Sequence, residues 1–388
     1  RGIDVVFFNC AICHVGSVRA TPESEPKFIA GMPSNTVNLR AFFEFLFNAA
    51  ADRKFTPERI LLAMKGAGIQ EDPINRLILR YYAIHAIRDQ LLDRRQRLAF
   101  ITEEPEFGPG RIDTFSPAKA LLNFTDMRNA PVEERIGTAD FPSIWNQKPR
   151  QGMQLHWDGN NTSVEERNRS AAFGTGATPP TLDRPYIREI ERWLETAQPP
   201  EWPFAIDRAL AARGAPLYAK YCGECHGRNG KDFTGAHVGK VTPIEHVRTD
   251  RHRLDSYTYD LAVNQNLLYA GYGSERFSHF RKTYGYANMP LDGVWLRAPY
   301  LHNGSVPTLR SLLDDGPTRP QEFYRGDDVY DQKNVGFISD VAQRGERKFF
   351  RYVTTVPGNG NLGHDGPEYG THLPTADKDA IVEYMKTF

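Results

Sequence analysis

Two pentapeptides carry the most specific chemistry in the chain: Cys10-Ala11-Ile12-Cys13-His14 and Cys222-Gly223-Glu224-Cys225-His226. Together they use all four cysteines. A C-x-x-C-H segment is the attachment signature of a c-type haem. The order is dictated by the chemistry, because each thiol adds across one haem vinyl group and the adjoining histidine ligates iron from the proximal side. A zinc knuckle would leave both histidines as coincidences, and a thioredoxin-like pair needs a strand–helix setting that neither site has. The spacing predicts two covalent haem c groups, one on Cys10, Cys13 and His14, the other on Cys222, Cys225 and His226.

What such a centre does depends on the side chain opposite each iron: a second strong ligand gives an electron carrier, an open position gives oxygen or peroxide chemistry. The chain offers six methionines and, beyond the two proximal ones, nine of its 11 histidines. Met32, in the turn Gly31-Met32-Pro33, follows His14 by 18 residues. Met289 precedes Pro290, an arrangement common for the sixth ligand of small cytochromes c. His85 lies in a helical pattern and reads as a core or interface residue. His237, His246, His252 and His279 sit in polar loops without ligand-like spacing. The run Arg94-Arg95-Gln96-Arg97 reads as a solvated helix face.

The elements that must hold these residues are mostly helical. Leu39, Phe42, Phe43, Leu46 and Phe47 form an apolar side over Asn38–Ala51. Thr56-Pro57-Glu58 is a helix start with a capping hydroxyl, proline at the first position and an acid after it. Asp72-Pro73 opens a long basic helix toward Phe100, with Ile74, Leu77, Ile78, Tyr81, Ile84, Ile87, Leu91 and Leu92 as its apolar spacing. Thr102–Gln151 is loop-rich, and helices follow near Val164 and over Arg184–Leu194. Gln198-Pro199-Pro200-Glu201-Trp202-Pro203 reads as a stiff linker. A helix over Ala205–Tyr221 then leads straight into Cys222. The last helix is capped by Thr375 and carries Ile381, Val382 and Met385 on one face. The expected fold is mainly α: two cytochrome c-like haem domains with long loops, residues 1–200 and 201–388, and a helical insertion at about 50–150 in the first.

With 388 residues, 40% hydrophobic and 25% charged, the composition is that of a globular protein of two or three units. Lys+Arg and Asp+Glu balance at 48 each, so no overall field favours nucleic acid or an anionic membrane. No apolar run approaches the roughly 20 residues of a membrane-spanning helix. Seventeen Tyr, 23 Phe and five Trp suit a protein that wraps large apolar cofactors. Covalent haem attachment of this kind takes place outside the cytoplasm, which predicts a periplasmic or secreted protein made with a leader. Only nine residues precede Cys10, too few for a helix to brace that haem, so the chain is expected to begin inside a longer mature protein.

Several segments resemble the bacterial dihaem cytochrome c peroxidases. Trp157-Asp158-Gly159, followed by Val164-Glu165-Glu166, is similar to their segment between the haems. Ala298-Pro299-Tyr300-Leu301-His302-Asn303-Gly304-Ser305-Val306 is similar to a loop of their C-terminal haem domain, and Leu373-Pro374 through Tyr384 to their closing helix. The longer stretches Trp157–Thr178 and Leu296–Leu312, and Gly358-Asn359-Gly360 through His364 to Gly370, resemble the rubber-oxygenase branch of that superfamily more closely. The likeness spans both haem domains in order and is weak over Ala50–Arg150.

The resemblance implies a division of labour, with chemistry at the His14 haem and electron transfer at the His226 haem. It places Trp157 between them, as an electron bridge, as a buried indole packing the interface, or as both. It makes His364 the distal ligand of the second haem, with Met289 the runner-up and His372 a weaker candidate. His302 is expected to tie loop backbone to a haem propionate, and Trp295 and Arg297 to contribute in the same way. The chain departs from the peroxidases at Ala30, where they carry a movable distal histidine, and Met32 is the nearest substitute. Before the interhaem tryptophan they have an aromatic residue; here it is His156. His156 can ligate the first iron, act as acid–base partner for bound peroxide, or point away into the interface. Phe173, and Glu165 or Glu166, are candidates to complete that pocket. A calcium between the domains is usual in the peroxidases, although no acidic loop here demands one.

The expected function is that of a dihaem c-type oxidoreductase activating O2 or peroxide, peroxidase-like or rubber-oxygenase-like. A small redox protein or a quinol-linked donor or acceptor would be its partner. The alternative is an electron-transfer cytochrome or redox subunit with both irons six-coordinate, His156 or Met32 closing the first.

Overall fold

Local signals set the helix starts. Asn38 accepts from Ala41 N through its side chain, Thr56 from Arg59 N, and Asp72 from the amides of Ile74 and Asn75. These side-chain acceptors satisfy amides that a helix leaves unpaired at its N-terminus. The structure, a computed structural model, describes residues 8–388. The chain is mainly α. The strands among the described residues are two to four residues long and pair only in two-stranded antiparallel ladders. No helix among them is long and apolar enough to cross a membrane.

The helical lobe differs from expectation in two respects. The long basic helix is divided into Pro73–Ile78, a wide π turn over Leu79–Ala83, and Ile84–Arg97. Much of its apolar spacing also faces outward. Ile74 is 68% exposed and Tyr81 71%, while Leu79 and Ile84 are buried against Leu61. The π turn adds a residue to the helical repeat, so one apolar stripe cannot stay on one face across it. In Leu39–Ala51, Leu39, Phe47 and Ala50 are buried and Phe42 is exposed. His85, expected inside, is exposed.

The main core draws on both halves of the chain. Met32 and Trp145 pack with Trp202, Tyr218, Trp295, Ile381 and Met385. The proline-rich segment before Trp202 is therefore packed rather than a free spacer; Pro200 O accepts the indole N–H of Trp295. Arg208–Tyr221 and Thr375–Met385 cross where Gly214 meets the Ala380 carbonyl, and a methyl group at Gly214 would overlap it. Pro374 takes the cap position of the last helix and Thr375 is its first residue. A second, aromatic cluster gathers Phe115, Tyr257, Phe277 and Phe280, and a third sets Trp157 against Ile244, Val247, Leu254 and Tyr286.

Candidate functional site

The second C-x-x-C-H motif is delivered by the helix Arg208–Tyr221. Cys222 N donates to Tyr218 O at 2.8 Å, and a further turn, Gly223–His226, brings His226 N to Cys222 O at 3.0 Å. His226 Nδ1 lies 2.7 Å from the carbonyl of Met289. A carbonyl only accepts, so Nδ1 carries the hydrogen and Nε2 is left as a metal ligand. That contact puts Met289 on the proximal side of His226, where its backbone orients the ring, and removes the reason to place its thioether opposite.

The group facing His226 is His364, with ring centroids 6.2 Å apart. An iron between two imidazoles needs two bonds of roughly 2 Å plus about 1.1 Å from each nitrogen to its ring centre, about 6 Å in all. With haem bound, His226 and His364 would be the two side chains on hand to hold its iron. Burial, then the neighbouring His226, hold His364 down at about 3, and burial lowers His226 as well. Both rings are thus neutral, the form that binds metal. His364 sits at φ +48° on a tight loop, its amide donating to Val247 O at 2.7 Å. The buried Arg319 guanidinium holds that loop through the carbonyls of Asn361, Gly363 and His364. Beside Cys225 lies a cavity of about 550 Å³, bordered by Val241, Glu245, Arg248 and Tyr369. This is within the roughly 300–1,000 Å³ of small-molecule and cofactor sites. Tyr218 Oη and Arg297 Nε are buried without a partner among the described residues, and the electrostatics of Tyr218 couple it to Cys222 and Arg297. Donors left unmatched near the thiols fit a group that brings carboxylates.

Among the described residues the first motif is braced from behind, by a hairpin. His14 leads into the hairpin of Val15–Val18 and Lys27–Ala30, Gly31 N donates to His14 O at 2.7 Å, and Asn35 Nδ2 to Cys13 O at 2.6 Å. Ala30 pairs with Val15 in that hairpin. Met32 is fully buried, and its Sδ would lie 2.7 Å from a β-carbon at Gly16, so the thioether fills core behind the motif. The His14 ring meets Phe141 edge-on at 6.0 Å, and among the described residues no second imidazole stacks opposite it. Burial, then the charge of Arg167, hold His14 at about 3.

His156 stands at φ +62° with Nδ1 2.6 Å from Asn160 Oδ1 and its ring stacked on Phe280 at 6.3 Å. Burial, then Arg167, lower it to about 3 as well. The amide oxygen fixes the hydrogen on Nδ1, so the neutral Nε2 is a proton acceptor. Phe173 is two rings removed: it packs on Phe277, Phe277 on Phe280, and Phe280 on His156. Glu165 is exposed beside Arg169, and Glu166 accepts from the amides of Ser278 and His279, tying that loop to the helix start. Neither carboxylate is free to line a pocket.

Trp157 joins the two regions. Its indole N–H donates to Asp140 O at 2.6 Å, one residue before the Phe141 that meets His14. Its ring packs against the cluster that contains Val247, and Val247 O holds the His364 amide. The expected propionate partners are differently engaged. His302 Nε2 lies 3.0 Å from the Tyr286 hydroxyl with the rings stacked at 4.1 Å. Trp295 is tied to Pro200, and Arg297 reaches Asp292 at 2.6 Å and Pro290 O at 2.8 Å, leaving only its Nε unmatched. Asp292 also pairs with Arg150, all three side chains being buried. Asp292→Ala would leave two buried guanidinium groups without a carboxylate and is expected to cost about 3–5 kcal/mol in denaturant unfolding. Among the described residues no cluster of three or more His, Cys, Asp or Glu is placed to hold a metal ion.

Residues 285–325 match a family model described as RoxA-like, cytochrome c-like. The match gives this segment a cytochrome c-like character, in line with a haem-based redox role. The cytochrome c-like segment contains Met289, Arg297 and His302 and ends at Arg325. Two proteins of Sinorhizobium fredii (strain NBRC 101917 / NGR234) are similar over longer stretches. The uncharacterized protein y4iM is 30% identical over 292 residues, 64% of this chain and 64% of its own length. The uncharacterized protein y4iJ is 25% identical over 473 aligned positions, which cover 100% of this chain and 77% of the relative.

Proposed function

We propose that the chain is an extracytoplasmic dihaem c-type oxidoreductase in which a small oxidant meets the His14 site and electrons pass through the His226–His364 site. Haem at each C-x-x-C-H motif supplies the redox-active iron. The observation that carries the reading is the asymmetry between the two sites. His226 is faced by a second imidazole at the spacing of one metal, whereas His14 is met by Phe141 from the side. A closed site suits electron exchange and an open one suits chemistry.

The side chains around the open site favour peroxide. His156, neutral and oriented by Asn160, accepts a proton at Nε2 and returns it to a departing oxygen. Arg167 adds positive charge. Trp157 spans the gap toward the second site, which shortens the path for electrons drawn from a small redox protein or a quinol-linked donor. A second reading, O2-dependent cleavage of a carbon–carbon double bond, is favoured by the likeness of Trp157–Thr178 to the rubber oxygenases. Calcium belongs to neither reading as a requirement.

The test is ligation. The resting ferric holoprotein is expected to show one high-spin and one low-spin haem, and the reduced form to bind one carbon monoxide per chain. Two low-spin haems that ignore carbon monoxide would reduce the protein to an electron-transfer cytochrome.

A further inference from the structure

Among the described residues, Arg167 is the one buried guanidinium near the His14 motif that lacks a carboxylate partner. Its side chain is 7% exposed, and its hydrogen bond within the protein is from Nη2 to Ser143 O at 2.9 Å. Among the described residues no carboxylate lies within ion-pair distance of it. The other buried arginines are treated differently. Arg253 meets Asp158 at 3.2 Å, Arg325 meets Asp140 at 3.0 Å, and Arg319 is wrapped by five backbone carbonyls. Burying a cation without a counter-charge is costly, so such a group points to an anion that arrives from outside.

The position narrows what that anion is. Arg167 donates to Ser143, two residues after the Phe141 that packs on His14. Its charge bears on both His14 and His156. His156 presents an unprotonated Nε2, because Asn160 Oδ1 holds the hydrogen on Nδ1. A cation beside a neutral acceptor accommodates a small acid HX end to end, its hydrogen bonded to Nε2 and its electronegative end against the guanidinium.

We propose that Arg167, together with His156, makes the surroundings of His14 a binding site for small inorganic anions of weak acids, hydroperoxide being the physiological chemical class. The inference rests on the open-site reading above and adds the group that selects the ligand.

The experiment uses ferric dihaem protein titrated with azide and fluoride, and reduced protein titrated with carbon monoxide as a neutral probe. Arg167→Gln is expected to weaken azide and fluoride binding by roughly 10–100-fold while carbon monoxide affinity stays within about twofold of wild type, as expected for an uncharged ligand that a guanidinium does not hold. Arg167→Lys, which keeps a point charge, is expected to recover part of the loss and covers the case in which the glutamine variant fails to fold. Unchanged azide affinity in either variant, with carbon monoxide still binding, overturns the proposal while leaving the open site intact. A loss of haem content or a shifted potential without any change in anion affinity also overturns it, and assigns Arg167 to a haem carboxylate. Wild-type protein that binds neither azide nor carbon monoxide removes both this inference and the open-site reading.

Discussion

His156→Phe is expected to slow the reaction of the reduced dihaem protein with hydrogen peroxide by a factor of roughly 10²–10⁴, the range for losing a positioned acid–base group. The substitution keeps an aromatic ring of similar size, so the stacking on Phe280 survives. What is lost is the Nε2 acceptor that Asn160 holds in one tautomer. Stopped-flow absorbance at the Soret band gives the rate, and the low-spin spectrum of the second haem serves as the internal control. A variant as fast as wild type would place His156 in the interface rather than in the pocket. A variant that gains a high-spin signal would make His156 an iron ligand and close the site in the native protein.

His364→Ala is expected to abolish the low-spin signal of one haem and to slow electron delivery to the other by about 100-fold or more, since even outer-shell partners of metal ligands are worth 10–100-fold. The alanine leaves a space the size of the lost imidazole opposite His226, and free imidazole is expected to restore the low-spin spectrum. Retention of that spectrum in the unsupplemented variant would mean that another side chain ligates. Met289 is poorly placed for the task, because its carbonyl is already bonded to the proximal ring.

The two attachment motifs and the helix leading into Cys222 were legible in the sequence because haem chemistry and helix capping both act over a few residues. The starts at Asn38, Thr56 and Asp72 were legible for the same reason. His364 was reached by resemblance alone, since nothing local ties a loop imidazole to a distant C-x-x-C-H. The contact of His226 with Met289 O was invisible, as a backbone carbonyl carries no residue signal. Arg167 was passed over for a related reason: only the fold reveals that a cation lacks an anion. The outward turn of Ile74 and Tyr81 goes with the π turn over Leu79–Ala83, which periodicity counts as regular helix. Trp295 and Arg297 were expected to reach a haem propionate, and their hydrogens go mainly to Pro200, Pro290 and Asp292.

The loop that carries His364 is anchored twice, by Val247 through the His364 amide and by Arg319 through the carbonyls of Asn361, Gly363 and His364. On the ligation proposed here, gain or loss of an electron at that metal would find its axial partner already immobilised. Little nuclear displacement would accompany the change of oxidation state, so the reorganisation energy would be small and self-exchange rapid. Loosening the anchor with Arg319→Ala would therefore slow electron transfer without altering which atoms bind the iron.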